Sequence, residues 1–222
     1  MKLQKSIFII LLFLGFSRGF AQDVIYPYAE EIRIFHENDS INPPPPNAIL
    51  FMGSSSLSKW LDMQDYFPGF TIINRGFGGS TIPDQIHYAD DVIFPYSPRQ
   101  IVIYCGENDL AYNDSVSPEM VTKNFDSLFN LIRAKLPDVK ITYISMKPSP
   151  SRWNLAEKFI AANLEIRRFI ESQQNASFVN VWDDMLNRRG RPDRSLFIKD
   201  RLHMKAKGYR IWTKDITPEL IN

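Results

Sequence analysis

Cysteine is all but missing from this 222-residue chain, and histidine occurs only three times. The single cysteine, Cys105, excludes an internal disulfide, and its place inside the apolar run 101–105 suits a buried thiol better than a reactive one. With no paired cysteines and no His-Glu-x-x-His, the usual zinc motifs are absent. Phosphate-cradling signatures are missing too. Gly76-Phe77-Gly78-Gly79 fits neither a dinucleotide Gly-x-Gly-x-x-Gly nor a P-loop, which ends in Gly-Lys-Ser/Thr. No metal, nucleotide or other cofactor is therefore expected. A strong charge of either sign is lacking as well, the formal net charge being +1. That argues against nucleic-acid partners. The one basic cluster, Arg188, Arg189, Arg191 and Arg194, reads as a solvated loop or as the rim of a site for an acidic substrate.

What the amino terminus does have is a leader-like pattern. Lys2 and Lys5 precede an apolar stretch over 7–16, and Gly19-Phe20-Ala21 resembles a small-residue cleavage site. Residues 1–21 are expected to be a secretory signal peptide, with export to the periplasm or the medium. An uncleaved anchor is the alternative, although the stretch is short for a span of about 20 residues. No later run is long enough to span, and no cysteine near the cut offers a lipid-attachment point, so no stable membrane anchor is expected after cleavage. Removing Lys2, Lys5 and Arg18 takes the formal charge from +1 to −2. Residues 22–222 suffice for one domain with a sizeable core.

Along that remainder, 28–36 looks like a short helix, and Asn42-Pro43-Pro44-Pro45-Pro46-Asn47 forms a stiff extended connector. The segment 22–47 is set apart from a domain over 48–222. Short apolar runs over 48–52, 71–73, 100–104, 140–146 and 178–182 suit strands buried on both faces. Helical spacing occupies 57–66, 83–94, 118–136 and 155–173, and a last helix is expected over 205–220. Strands alternating with helices imply an α/β fold with a mostly parallel sheet.

In such sheets ligands bind outside the carboxyl ends of the strands. Three polar patches follow the first three strands: Gly53 to Ser56, Asn74 to Thr81, and Gly106 to Asp109. A fourth, Asp200-Arg201-Leu202-His203, precedes the last helix. Together they supply the parts of a serine hydrolase site, which needs a base to activate the hydroxyl and preorganised donors for the oxyanion. The elbow pattern Gly-x-Ser-x-Gly fails, because Leu57 stands where the second glycine belongs.

Four blocks in this order resemble the SGNH hydrolases, also called the GDSL esterase/lipase family: Gly53-Ser54-Ser55-Ser56, Asn74-Arg75-Gly76-Phe77-Gly78-Gly79-Ser80-Thr81, Gly106-Glu107-Asn108-Asp109 and Asp200-Arg201-Leu202-His203. The chain is most similar to the branch with the platelet-activating-factor acetylhydrolase subunits. The resemblance implies a flavodoxin-like three-layer α/β/α sandwich with a five-stranded parallel sheet of order 2-1-3-4-5, and metal-free ester hydrolysis in a site open to solvent. One departure is plain: the family's Gly-Asp-Ser is here Gly53-Ser54-Ser55.

The resemblance makes Ser55 the nucleophile, His203 the base and Asp200 its partner. A spacing of three can bring the carboxylate to Nδ1 while Nε2 faces Ser55. The oxyanion hole is expected to combine the backbone N–H groups of Ser55 and Gly79 with the side-chain amide of Asn108. Each assignment has a plainer reading. A serine before Leu57 and Trp60 is a good helix cap, Gly79 suits a positive-φ turn, and Asn108 suits a turn beside Asp109. His36 and His87 read as surface or packed helix residues, and Asp183 and Asp184 as solvated or turn-capping carboxylates. Trp153, beside Arg152, is the aromatic expected to line the cleft.

The expected activity is hydrolysis of short acyl esters, acetyl foremost, on a carbohydrate or lipid-derived substrate through an acyl-enzyme. Two alternatives stay open: a lipase or lysophospholipase for longer chains, and a non-catalytic carbohydrate-binding module on the same fold. The expected partner is a small-molecule or glycan ester, and the oligomeric state is left open.

Overall fold

The computed structural model describes residues 26–221; the expected leader over 1–21 lies outside them. Helix α1 (Ala29–Ile41) leads through the proline run to strand β1 (Ile49–Gly53), then to the short helices α2 (Ser55–Ser58) and α3 (Met63–Tyr66). Strand β2 (Ile72–Gly76), helices α4 (Ile82–His87) and α5 (Ala89–Val92), and strand β3 (Gln100–Tyr104) follow. The chain continues through α6 (Glu107–Tyr112), α7 (Pro118–Lys135), β4 (Lys140–Ile144), α8 (Ala156–Glu171), β5 (Ala176–Val179) and α9 (Ala206–Ile216). All strand pairs are parallel, and the sheet order is β2-β1-β3-β4-β5. The resemblance implied this order.

Period-two alternation divides the core. Leu50 and Met52 of β1, with Ile101 and Ile103 of β3, face a layer containing Ile32 of α1, Ile82 of α4, Phe125 and Phe129 of α7, and Phe159 of α8. Ile49, Phe51, Val102 and Tyr104 face the other layer, with Leu57, Met63 of α3, and Tyr209 and Trp212 of α9. Strands β1 and β3 are buried along their whole length, which is why 49–52 and 101–104 are continuous apolar runs. Helix α7 shows how the layers form. Ser117 caps its start by accepting from the Met120 N–H, Pro118 occupies the first turn, and Val121, Phe125, Leu128, Phe129 and Ile132 fall on one buried stripe. Each such side chain contributes about 1.5–3 kcal/mol on burial.

Several boundaries differ from expectation, for tertiary reasons. The helix expected over 57–66 breaks into α2 and α3, because fully buried Trp60 stacks on Tyr209 with ring centroids 4.5 Å apart, while Leu61 points to solvent. The helix expected over 83–94 divides at Tyr88, whose hydroxyl reaches back to the Pro27 carbonyl at 2.8 Å. Strand β2 runs on to Gly76, its Arg75 guanidinium being neutralised by Asp39 and bonded to the Tyr96 hydroxyl at 2.6 Å. Strand β5 lies earlier than expected, since the Asn180 side chain turns the chain by accepting the Trp182 N–H at 3.0 Å. Helix α6 was not foreseen at all.

Segment 26–47 is packed on the sheet's flank. Ile32 joins the core, and Asp39 near the end of α1 binds Arg75 and Tyr96. Among the described residues, no helix is long and apolar enough to cross a membrane.

Candidate active site

Strand β1 ends at Gly53, and the chain turns at once into α2, which puts the three serines at the carboxyl edge of the sheet. Their environments differ. Ser54 and Ser56 are buried. Ser54 occupies the cap position of α2 without making a side-chain capping bond. Ser55 alone is partly open, and its Oγ lies 2.9 Å from His203 Nε2.

The fourth patch reaches this edge by a tightly tied loop. The Ile198 N–H bonds the His203 carbonyl at 2.9 Å, the Lys205 N–H bonds Leu196 at 2.8 Å, and Arg201 turns the chain with φ 59°. Asp200 Oδ1 accepts the backbone N–H groups of Leu202 and His203, both at 2.9 Å, and Oδ2 lies 2.6 Å from His203 Nδ1. The carboxylate keeps a proton on Nδ1, which leaves the Nε2 lone pair facing the Ser55 hydroxyl. Burial alone would raise the Asp200 pKa. The bonds from the His203 ring and from the two backbone N–H groups outweigh it and hold the carboxyl down at about 2. The arrangement can remove a proton from Ser55 and return it to a leaving group.

Beside Ser55, the N–H groups of Ser55 and Gly79 have no acceptor among the described residues. Gly79 has φ 87°, and a Cβ there would stand 3.3 Å from the Tyr112 hydroxyl and 3.5 Å from that of Tyr28. Glycine serves both the positive φ and the open approach to its N–H. Asn108 sits in the first turn of α6, its Nδ2 donating to the Ser80 carbonyl at 2.9 Å and keeping its second N–H free of any acceptor among the described residues. Ser55, Gly79, Asn108, Asp200 and His203, far apart in sequence, therefore come from the patches to one edge of the sheet.

The rival residues lie elsewhere. His87 stacks on Tyr26 at 3.6 Å and His36 sits 3.0 Å from Asp91. Asp184 pairs with Lys214, and Asp183 accepts from Asn180. Cys105 is buried, and burial pushes its thiol well up, so it stays a protonated, inert side chain. Trp153 borders a concavity of about 440 Å³ with Pro150, Arg191 and Arg194. Its ring is already occupied, stacked on Trp182 at 6.0 Å and covered by the Arg191 guanidinium at 5.3 Å.

Sequence reasoning missed Glu107, Lys147 and Arg152, which cluster behind Asn108. The available signal was a charged residue closing an apolar run after β3 and again after β4.

Asp109 has a separate part. Both its oxygens lie 3.2 Å from the Ile82 N–H, tying α6 to the start of α4. Burial pushes its carboxyl up to about 6, against the lowering bond from Ile82 and with a further rise from Asp84. The folded value thus lies above the unfolded one of about 3.9. Its contribution to stability is full below that lower value and is lost as pH rises through about 6. Asp109→Asn is expected to flatten the fall in unfolding temperature between about pH 4 and 6.5. Thermal melts of both proteins across that range check this, and parallel curves would remove Asp109 as the cause.

The sequence profile of the GDSL-like lipase/acylhydrolase family matches residues 53–211, a span that contains all four polar patches. No curated protein matches the chain. Among solved structures, a Streptococcus pneumonia protein named for platelet activating factor superposes with a TM-score of 0.76 at 22% identity, covering 86% of this chain and 92% of its own. A GDSL-like lipase from Bacteroides thetaiotaomicron gives 0.72 at 22% identity, with coverages of 85% and 96%. An acetylxylan esterase from Geobacillus stearothermophilus gives 0.63 at 12%, with coverages of 78% and 94%. At these identities the likeness is one of fold. The profile match spans most of the chain, and it establishes that this protein belongs to the GDSL-like lipase/acylhydrolase family of serine ester hydrolases.

Proposed function

We propose that Ser55 is the nucleophile, His203 the general base and acid, and Asp200 the residue that orients the imidazole and stabilises its charged form. The observation carrying this is the unbroken line from Asp200 Oδ2 to His203 Nδ1 at 2.6 Å and from Nε2 to Ser55 Oγ at 2.9 Å. As Oγ bonds to the acyl carbon, its proton passes to Nε2 and the carbonyl electron pair moves onto oxygen. That oxyanion accepts from the Ser55 and Gly79 N–H groups and from Asn108 Nδ2, each such donor being typically worth about 100- to 1,000-fold in rate. Collapse expels the alcohol, which takes the proton from Nε2. Water then repeats the sequence on the acyl-enzyme and releases the acid.

The acyl group is read as short, acetyl foremost, on a carbohydrate or lipid-derived ester. Two things support this. The Tyr112 and Tyr28 hydroxyls stand 3.3 and 3.5 Å from where a Cβ on Gly79 would lie, which leaves little room for bulk beside that proposed oxyanion donor. The fold is also shared with an acetylxylan esterase. The leader pattern over 1–21 supports an exported enzyme, so the working protein is taken as 22–222.

Hydrolysis of p-nitrophenyl acetate, butyrate and octanoate by residues 22–222 tests the acyl reading. The acetate is expected to give the highest kcat/KM, with the octanoate lower by about 100-fold. Rates that climb toward the octanoate would replace this reading with a lipase or lysophospholipase. No hydrolysis of any ester, together with unimpaired glycan binding by a Ser55→Ala variant, would favour a binding module.

A further inference from the structure

Behind Asn108 lies a group of charged side chains that the triad does not use. Glu107 and Lys147 are 3% and 1% exposed. Lys147 Nζ donates to Glu107 Oε2 at 2.7 Å and to the Tyr104 hydroxyl at 3.2 Å, and that hydroxyl donates to the same carboxylate oxygen. The other oxygen, Oε1, has no hydrogen-bond partner among the described residues and faces Arg152 Nη1 at 3.6 Å. Burial would raise the Glu107 pKa, but the charges of Lys147 and Arg152 outweigh it and hold the carboxyl below its usual range. Arg152, largely buried, then donates from Nη2 to Asn108 Oδ1 at 2.8 Å.

An asparagine amide is nearly symmetric in shape, so packing alone does not decide which end carries the oxygen. A wrong orientation would aim a lone pair at the oxyanion. Here both ends are specified chemically. Guanidinium is donor-only, so only Oδ1 can face Arg152, and the Ser80 carbonyl is acceptor-only, so only Nδ2 can face it. A hydrogen bond to a cation also polarises the amide, making its remaining N–H a better donor. Two cations and one carboxylate leave the cluster with one net positive charge beside the oxyanion site.

We propose that Arg152, anchored by the buried Glu107–Lys147 pair, is a positioning residue that locks the Asn108 amide with its N–H toward the oxyanion. This rests on the catalytic reading given above. The test is a double-variant cycle of Arg152→Ala and Asn108→Ala in residues 22–222, with p-nitrophenyl acetate as substrate and kcat and KM measured separately. Arg152→Ala is expected to lower kcat by about 30-fold with KM within about 2-fold, and to cost less than about 3-fold more once Asn108 is already alanine. Arg152→Lys, still a donor-only cation, is expected to recover part of the loss and to keep the wild-type unfolding temperature. It carries the test if the alanine variant does not fold. Equal losses in both backgrounds would overturn the proposal, and so would a raised KM at unchanged kcat, since Arg152 would then be touching substrate. Ser55→Ala run alongside separates the two levels: if it stays active the catalytic reading fails, and if it is inactive while Arg152→Ala keeps the parent kcat, only this inference fails.

Discussion

Ser55→Ala is expected to lower kcat for p-nitrophenyl acetate by about 10⁵-fold or more, leaving the unfolding temperature within about 2 °C of the parent. The loss is large because no neighbour can substitute. Ser54 and Ser56 are 3% and 1% exposed, and the Nε2 lone pair is committed to position 55. Alanine keeps the backbone N–H at 55, so the proposed oxyanion donors survive and a small rate above that of water is expected to remain. Steady-state rates give the ratio, and mass spectrometry of acid-quenched parent protein shows whether one acetyl group sits on Ser55. A variant retaining more than about 1% of the parent rate would exclude Ser55 as the nucleophile.

Gly53→Ala should have the largest effect on stability of any single methyl added near the site. Gly53 ends β1 with φ 140°, and a Cβ there would fall 1.9 Å from the Tyr104 carbonyl oxygen of β3. That oxygen is backbone, and it accepts the Ser54 N–H at 3.0 Å, so it cannot swing away as a side chain could. Strands β1 and β3 would have to separate just before the turn into α2. The cost is expected to exceed about 4 kcal/mol, in the range of severe backbone clashes, and to lower the unfolding temperature by about 10 °C or more. Differential scanning calorimetry of the purified variant decides. An unfolding temperature within about 3 °C of the parent would show that the strands part more easily than this packing implies.

The central sheet was legible because burial on both faces leaves little choice of residue: 49–52 of β1 and 101–104 of β3 are apolar throughout, and polar patches follow them. Edge strands were less legible. The Arg75 guanidinium inside β2 is accommodated only because α1 supplies Asp39, a partner distant in sequence. Likewise, α2 stops where Trp60 meets Tyr209, a contact that no local pattern encodes. The Asp200–His203 bond lies within four residues and could be anticipated from spacing. Glu107, Lys147 and Arg152 gave only the weak signal of a charge after an apolar run, since each reads as a surface charge alone and is withdrawn from solvent only with the others.

The two ends of the described chain leave the domain at opposite edges of the sheet. Tyr26 stacks on His87 of α4, and Tyr28 reaches Gly79 just beyond the carboxyl end of β2, so the described chain starts near the edge that holds the proposed site. At the other end, the Glu219 carbonyl accepts from Gln100 at 2.9 Å and from Lys140 at 2.7 Å, at the amino ends of β3 and β4. Immobilisation is therefore directional. Coupled to a bead through its carboxyl end, the enzyme turns its open face toward the bulk solution, where polymeric substrates can approach.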